Sequence, residues 1–358
     1  MGSPVLIVIV NYRTSDLAVE CLRSIAAEAG DPAVARVAVV DNHSNDGSVD
    51  RLRSAIAQNG WSRWAELIAS DRNGGFAAGN NLAIRAELAR PAAERAGFVL
   101  LLNPDTMVRP GALRELLAFM KEHPEAGIAG SRIEDAEGRS QGSARRFPSP
   151  LGELESAARL GPLTRLLRRH SVPMREGEQP MRCDWVSGAA MMIRADVFSK
   201  IGLLDEGYFL YYEELDFCHR AATAGWQIWF VPGSRVVHYE GASTGIRNRR
   251  RRRPGYWFES RRRYFVKLLG AKAWLLADCC WAAGRLIWTA QKLSGFVACR
   301  DGDPIGFAAD LIGGDWKAWT SGRWRAFREL PAPERGPGNA VPSFPRSAAG
   351  AREPEVRP

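Results

Sequence analysis

The run Phe98-Val99-Leu100-Leu101-Leu102, followed at once by Asn103-Pro104-Asp105-Thr106, constrains the fold more than any other stretch of the chain. A continuous apolar run of this length suits a strand buried on both faces of a parallel sheet. Pro104 has no N–H for a ladder and restricts Asn103, so the strand must stop there. Asp105 is then delivered to the carboxyl end of a central strand, where open α/β sheets bind their ligands. A carboxylate at that corner can hold a hard cation against a diphosphate. Taken alone, Asn-Pro-Asp is equally a plain turn.

The preceding chain repeats the same device. Val5 to Val10 is an apolar run ending in Asn11-Tyr12-Arg13-Thr14, after which Ser15 or Asp16 can cap a helix with Leu17, Cys21, Leu22 and Ile25 at helical spacing. Val37 to Val40 ends at Asp41-Asn42-His43-Ser44, and a helix from Ser48 carries Leu52 and Ile56. Leu67-Ile68-Ala69 leads into Arg72-Asn73-Gly74-Gly75 and a helix from Ala77 to about Arg90. Strand and helix in alternation predict a parallel sheet with right-handed crossovers. Tyr12 and Arg13, Asp41, Arg72 to Gly75 and Asp105 should then meet along one sheet edge as a site. No G-x-G-x-x-G follows the first strand and no G-x-x-x-x-G-K-[ST] occurs, which disfavours a dinucleotide site and excludes a P-loop NTPase. Gly74-Gly75 lets the backbone turn sharply and approach a ligand, or simply starts the helix.

Beyond a helix from Gly111 to Glu122 and a strand at Gly127 to Gly130, periodicity is lost from Arg139 to Pro150. Leu151 to Glu178, rich in Arg, Gly and Pro, reads as a mobile insertion or lid. Asp184 to Arg194 reads as a strand in which Gly188 and Ala189 leave room for a ligand, and Ala195 to Ile201 as a helix. An aromatic approach, Gly207 to Tyr212, precedes Glu213-Glu214-Leu215-Asp216 and a helix over Phe217 to Ala224. Acids there suit a helix dipole whatever else they do. Gln227 to Val231 and Arg235 to Val237 are short strands, the second ending at His238. Gly241-Ala242-Ser243-Thr244-Gly245 matches the hydrolase pattern G-x-S-x-G. That pattern needs a later histidine and an apolar helix, yet His238 is the last histidine and an arginine run follows. The segment reads better as a loop closing over a diphosphate.

Six pieces in order, Val8 to Arg13, Val39 to Ser48, Asn73 to Asn81, Leu102 to Thr106, Tyr211 to Asp216 and Val237-His238, resemble the inverting GT-A glycosyltransferases of family 2. Within that family they look like the rhamnosyltransferase-like and galactofuranosyltransferase-like branch. The resemblance covers residues 4 to about 245. It implies an α/β GT-A fold, Rossmann-like with a mostly parallel central sheet, and a C-terminal helical extension. It also implies transfer of a sugar, best guessed as L-rhamnose from dTDP-rhamnose, onto a cell-surface glycan or polyprenyl-linked acceptor. In the resemblance Asp41 reads the base edge of the nucleotide, Asn11, Tyr12 and Arg13 line the base, and Arg72, Asn73, Gly74 and Gly75 support base and ribose. Asp105 and His238 bind Mg²⁺ or Mn²⁺. Asn103, where many members carry an acid, lies on the nucleotide side. Glu214 is the catalytic base with Glu213 beside it. Inversion needs one base to take the acceptor proton and a Lewis acid for the leaving diphosphate, which fits these residue types. The alternative is an inactive nucleotide- or glycan-binding module of the same fold, against which Asp105, Glu213 and Glu214 argue.

The formal net charge of +9 points to an anionic partner. Basic residues crowd between Arg247 and Lys267 against the single acid Glu259. Tyr256 to Leu269 and Lys272 to Phe296 read as two helices, and Trp274, Trp281 and Trp288 share one face. That face is either a helix–helix core, which could join two copies as a homodimer, or an anionic membrane surface contact. No nucleic-acid recognition module accompanies the basic run. Six scattered cysteines without Cys-x-x-Cys read as free thiols. With no leader and no apolar run of about 18 residues, the expectation is a cytoplasmic protein, peripheral on the inner membrane face. The division expected is 1–245 for the catalytic domain (nucleotide half to about 110, acceptor half 111–245), 246–330 for a basic, Trp-rich helical extension, and 331–358 for a disordered tail rich in Pro, Gly and Arg.

Overall fold

The computed structural model describes residues 5–29, 35–239, 250–295 and 303–328. The first four long strands are β1 (Val5–Asn11), β2 (Ala35–Asp41), β3 (Ala65–Ala69) and β4 (Phe98–Leu102), with helices α1 (Ser15–Ala29), α2 (Ser48–Gln58) and α3 (Gly75–Leu88) between them. They lie in the order β3-β2-β1-β4, every pair parallel. β1 alternates its side chains between two cores: Val5, Ile7 and Ile9 meet α1 and α2, while Leu6, Val8 and Val10 meet α3. That two-sided burial is why these strands read as unbroken apolar runs.

Past β4 the sheet becomes mixed. The remaining strands are β5 (Thr106–Val108), β6 (Ala126–Glu134), β7 (Ala144–Arg145), β8 (Met181–Cys183), β9 (Trp185–Val186), β10 (Ala190–Arg194) and β11 (Gln227–His238). β10 inserts antiparallel between β4 and β6, β11 runs parallel to β6, and β5 closes the edge antiparallel to β11. The expected strand at 184–194 is thus two, β9 and β10, broken at 187–189. The two short strands expected at 227–237 are one, β11, whose register slips between Val231 and Arg235, where Pro232 cannot donate to the ladder. The other helices of this half are α4 (Ala112–Glu122), α5 (Pro150–Ala158), α6 (Gly161–Leu166), α7 (Ala195–Ile201) and α8 (Glu213–Thr223).

The mobile lid expected at 151–178 is corrected by α5. Ser149 caps this helix by accepting from the Gly152 N–H, Pro150 occupies its first turn, and it packs along the long C-terminal helix α10 (Ala271–Leu293). The two backbones approach so closely at Gly284 that a Cβ there would stand 2.7 Å from the Ala157 Cβ. Further along the same segment the Glu176 carboxylate accepts the Ser143 and Ala144 N–H groups. Helix α9 (Gly255–Tyr264) continues through a π-helical turn (Phe265–Leu269), Gly270 at φ 88° breaks the helix before α10, and α11 (Phe307–Thr320) packs on α9. Trp274, Trp281 and Trp288 are buried, so the tryptophan face is core rather than a lipid contact. The loop expected at Gly241 to Gly245, the start of the arginine run and the tail from 331 lie outside the described residues.

Candidate active site

The edge on which the polar corners converge is built from β1 and β2. Their last residues, Asn11 and Asp41, pair in register. Asn11 Nδ2 donates to Asp41 Oδ2 at 2.7 Å, and Ser44 Oγ donates to the same oxygen at 2.6 Å. The Ser44 N–H donates to Oδ1 at 3.0 Å. Asp41 is 1% exposed, so its carboxylate acts first on its own loop. Ser44 in turn accepts the Arg13 N–H at 3.0 Å, and Arg13 lies over the Tyr12 ring at 5.1 Å. Arg13, His43 and Asn45 all have φ near +60°. Left-handed conformations in non-glycine residues are costly and cluster at functional sites.

The Asn73–Gly75 corner sits beside this loop. Asn42 Nδ2 donates to Asn73 Oδ1 at 2.9 Å and to the Gly75 carbonyl at 3.0 Å, while Arg72 is exposed. Gly75 has φ 84°, and a Cβ on it would lie 1.9 Å from the Phe209 carbonyl oxygen, which accepts the Phe76 N–H at 3.0 Å. What Gly75 approaches is therefore the chain leading to Glu213. Gly75→Ala is expected to cost more than about 2 kcal/mol through clash and backbone strain. Thermal melting checks this: an unchanged midpoint would mean that the corner yields freely.

Asp105 and His238 meet across β5 and β11, where Thr106 pairs with His238. His238 Nε2 stands 3.1 Å from Asp105 Oδ1 and 3.2 Å from Asn103 Nδ2. Nε2 lies between an acceptor and a donor and can satisfy one of them at a time. With Nε2 unprotonated, imidazole and carboxylate can both face a cation. One carboxylate with one imidazole is a pair that could hold a divalent cation. Among the described residues no cluster of three or more His, Cys, Asp or Glu stands together as a metal cage.

Glu213 and Glu214 occupy the first turn of α8, which begins earlier than the helix expected from Phe217. Glu213 is buried and Glu214 half-buried, and the Oε2 atom of each is buried without a hydrogen-bond partner. Burial, then the Glu214 charge, pushes Glu213 well above the ordinary carboxylate range. Burial also raises Glu214, opposed by backbone N–H donors and the Arg145 guanidinium. The space expected beside Gly188 is taken by this glutamate: a Cβ on Gly188 would sit 3.4 Å from Glu214 Cβ and 3.7 Å from the Phe76 ring. The adjacent Ala189 carbonyl accepts the Asn103 N–H at 3.0 Å. The turn 187–189 thus joins the Asp105 corner, the Gly75 corner and the glutamate helix. The reading from residues alone missed the Gly75–Phe209 contact and the position of Arg145. Neither has a local pattern; each partner is distant in the chain.

The Asn11–Asp41 corner, the Asp105–His238 pair and the Glu213–Glu214 turn thus lie on one GT-A scaffold. The chain belongs to the family described as glycosyltransferase like family 2, whose model matches residues 3–256, and it is rhamnosyltransferase-like within it. It is 30% identical over 220 residues to the N-acetylglucosaminyl-diphospho-decaprenol L-rhamnosyltransferase of Mycobacterium tuberculosis, covering 58% of this chain and 68% of that protein. It is 29% identical over 171 residues to rhamnosyltransferase WbbL of Escherichia coli K12, covering 46% and 61%. The fold is similar to that of GalNAc-T7 with UDP, GalNAc and Mn²⁺ (TM-score 0.53, 15% identity, 89% of this chain and 57% of that one). It is also similar to the mannosyltransferase PcManGT of Pyrobaculum calidifontis with GDP-Man and Mn²⁺ (TM-score 0.50, 15% identity, 92% and 84%).

Proposed function

We propose that this chain is an inverting, metal-dependent rhamnosyltransferase that takes L-rhamnose from a dTDP donor and places it on a lipid-linked or cell-surface glycan. The observation that carries the chemistry is the turn 187–189, which sets Glu214 beside the corner bearing Asp105. Glu214 takes the proton of the acceptor hydroxyl as its oxygen attacks the anomeric carbon, and the bond to the diphosphate breaks. Asp105 and His238 would hold a divalent cation, which would supply Lewis-acid stabilisation for the charge on the leaving diphosphate. Asn11, Tyr12, Arg13, Asp41, Asn73 and Gly75 shape the nucleotide end. Arg72 and Gly74 flank it, and Asn103 orients His238. The sugar rests on the names of the relatives, which include a dTDP-rhamnosyl transferase, RfbF, of Shigella flexneri at 23% identity. In this reading residues 1–245 form the catalytic unit and 246–330 an extension closed upon it.

A panel of nucleotide sugars with Mn²⁺ tests the proposal, reading thermal stabilisation and release of nucleoside diphosphate. A ligand that binds the native state raises its stability by mass action. The expected result is stabilisation and slow hydrolysis with dTDP-rhamnose above all others. Preference for another donor overturns the sugar, and binding without turnover favours the inactive module.

The acceptor reading has a surface to match. No helix among the described residues is long and apolar enough to cross a membrane. The outer side of α10, however, carries Leu276, Leu286 and Leu293 exposed, with Lys272 beside them, and α11 exposes Trp316 at 68%. Apolar faces edged by lysine suit an anionic lipid surface. The protein is expected to co-sediment with acidic vesicles and to be released by salt. Equal binding to neutral vesicles would remove the role of charge, and no binding together with a dimer in sedimentation would assign the stripe to a second copy.

A further inference from the structure

We propose that α9 and its π-helical turn are a clamp that aims the catalytic glutamate, with Lys267 and Ser260 as positioning residues. The proposal rests on the reading of Glu214 as base.

The need for a clamp lies in the backbone. Tyr211 and Tyr212, the residues before Glu213, both have φ 71°. Two consecutive bulky L-residues in the left-handed region are held there only when their surroundings over-determine them. If that corner relaxed, the first turn of α8 would rotate and carry Glu214 away from Gly188.

The surroundings come from α9. The Tyr211 ring stacks on Tyr256, with centroids 6.3 Å apart. The Tyr212 ring meets Trp257 at 6.0 Å and Tyr264 at 5.7 Å. Ser260 Oγ donates to the Leu210 carbonyl at 3.1 Å. Lys267 then joins the two ends of the strained segment. Its Nζ donates at 2.6 Å to Asp205, upstream of the corner, and at 2.6 Å to Asp216, two residues beyond Glu214. The lysine side chain is 1% exposed and both carboxylates are buried. Burial would raise the Asp205 carboxyl, but Lys267 and Arg263 outweigh it and hold it below the ordinary range. The π turn Phe265–Leu269 that carries Lys267 is of a kind found often at functional sites. On its other side the same segment rests on the donor corner through the Phe209 carbonyl. The extension therefore reaches the base through the segment 205–216.

Lys267→Met is the test. Each carboxylate keeps an arginine, Arg263 on Asp205 and Arg220 on Asp216, so the fold is expected to persist. Turnover is expected to fall about 10²-fold, the scale of a small misplacement of a reacting group, with dTDP affinity and donor KM unchanged. In the Glu214→Gln background the same substitution should cost nothing further, because a residue acting through Glu214 is non-additive with it. Trp288→Ala, at the far end of α10, should lower the melting temperature while leaving turnover intact. Should Lys267→Met fail to fold, Ser260→Ala removes only the bond to Leu210. It is expected to lower kcat severalfold, again only when Glu214 is present. Equal losses in both backgrounds, or wild-type turnover in Lys267→Met beside a slow Glu214→Gln enzyme, would overturn the clamp and leave the base in place. Wild-type turnover in Glu214→Gln alone would instead overturn the base, and the clamp with it.

Discussion

Glu214→Gln is expected to lower turnover by about 10²- to 10⁴-fold, the usual cost of losing a general base. Donor affinity should stay near wild type, because in the proposed mechanism the base meets the acceptor hydroxyl rather than the diphosphate. Adjacent residues on a helix point about 100° apart, so Glu213 and Glu214 cannot serve one proton equally. The structure separates them further: Glu213 is 3% exposed, whereas Glu214 lies along the turn at Gly188. Only the ionised form of a base accepts a proton. With Glu214 raised by burial, turnover should be lost as pH falls through a value above that of an ordinary glutamate. Glu213→Gln should be milder and should reveal itself in stability. A carboxyl whose folded pKa is raised contributes stability fully below its unfolded pKa, and that contribution is lost as pH rises through the folded value. The wild type should therefore lose melting temperature relative to Glu213→Gln as pH rises above the ordinary carboxylate range. Turnover, donor affinity and melting curves measured side by side decide the matter. A dead Glu213→Gln beside an active Glu214→Gln would move the base by one residue.

The nucleotide half was legible because its strands are buried on both faces. Val5 to Val10, Val37 to Val40 and Phe98 to Leu102 each run apolar into a polar corner, and each corner falls on the same edge. Direction was not legible past β4, since the run Ala190 to Ile193 carries no mark that it enters antiparallel. Helix α5 leaves no helical pattern in the sequence for a specific reason. Its contact with α10 is made by small residues, Ala157 and Ala158 against Gly284, which leave little hydropathy periodicity. The tryptophan face could not be assigned from α10 alone. Whether such a face is core or lipid contact depends on what covers it, and α5, which supplies Ala157 against Trp281, lies far away in the chain. The same holds at the site. Glu214 and Asp105 were visible as residue types, but the Lys267 bridge that ties Asp205 to Asp216 belongs to the tertiary fold.

Asp105→Ala is expected to abolish metal-dependent donor binding and to lower turnover by about 10²- to 10⁴-fold, since a Lewis acid at a leaving diphosphate supplies several kcal/mol. The fold should survive. The Asp105 side chain lies at a strand-end corner against His238, and its backbone carbonyl still accepts the Tyr239 N–H at 2.9 Å. Loss of one such side-chain contact costs about 0.5–1.5 kcal/mol, a small shift in melting temperature. The variant also frees Nε2 of His238 from its conflict between Asp105 and Asn103, leaving imidazole alone as a weak site. His238→Ala should thus weaken the cation less than Asp105→Ala does, because the carboxylate supplies the charge. Calorimetric titration of Mn²⁺, with and without dTDP, reads the metal directly. On the proposed reading thymidine, which lacks the diphosphate, is expected to bind the wild type and both variants alike, through the corner of Asn11, Tyr12 and Asp41. Wild-type, Mn²⁺-dependent turnover in Asp105→Ala would remove this carboxylate from the metal site. Loss of thymidine binding would show instead that the corner at Asn103-Pro104-Asp105 supports the nucleotide pocket as a whole.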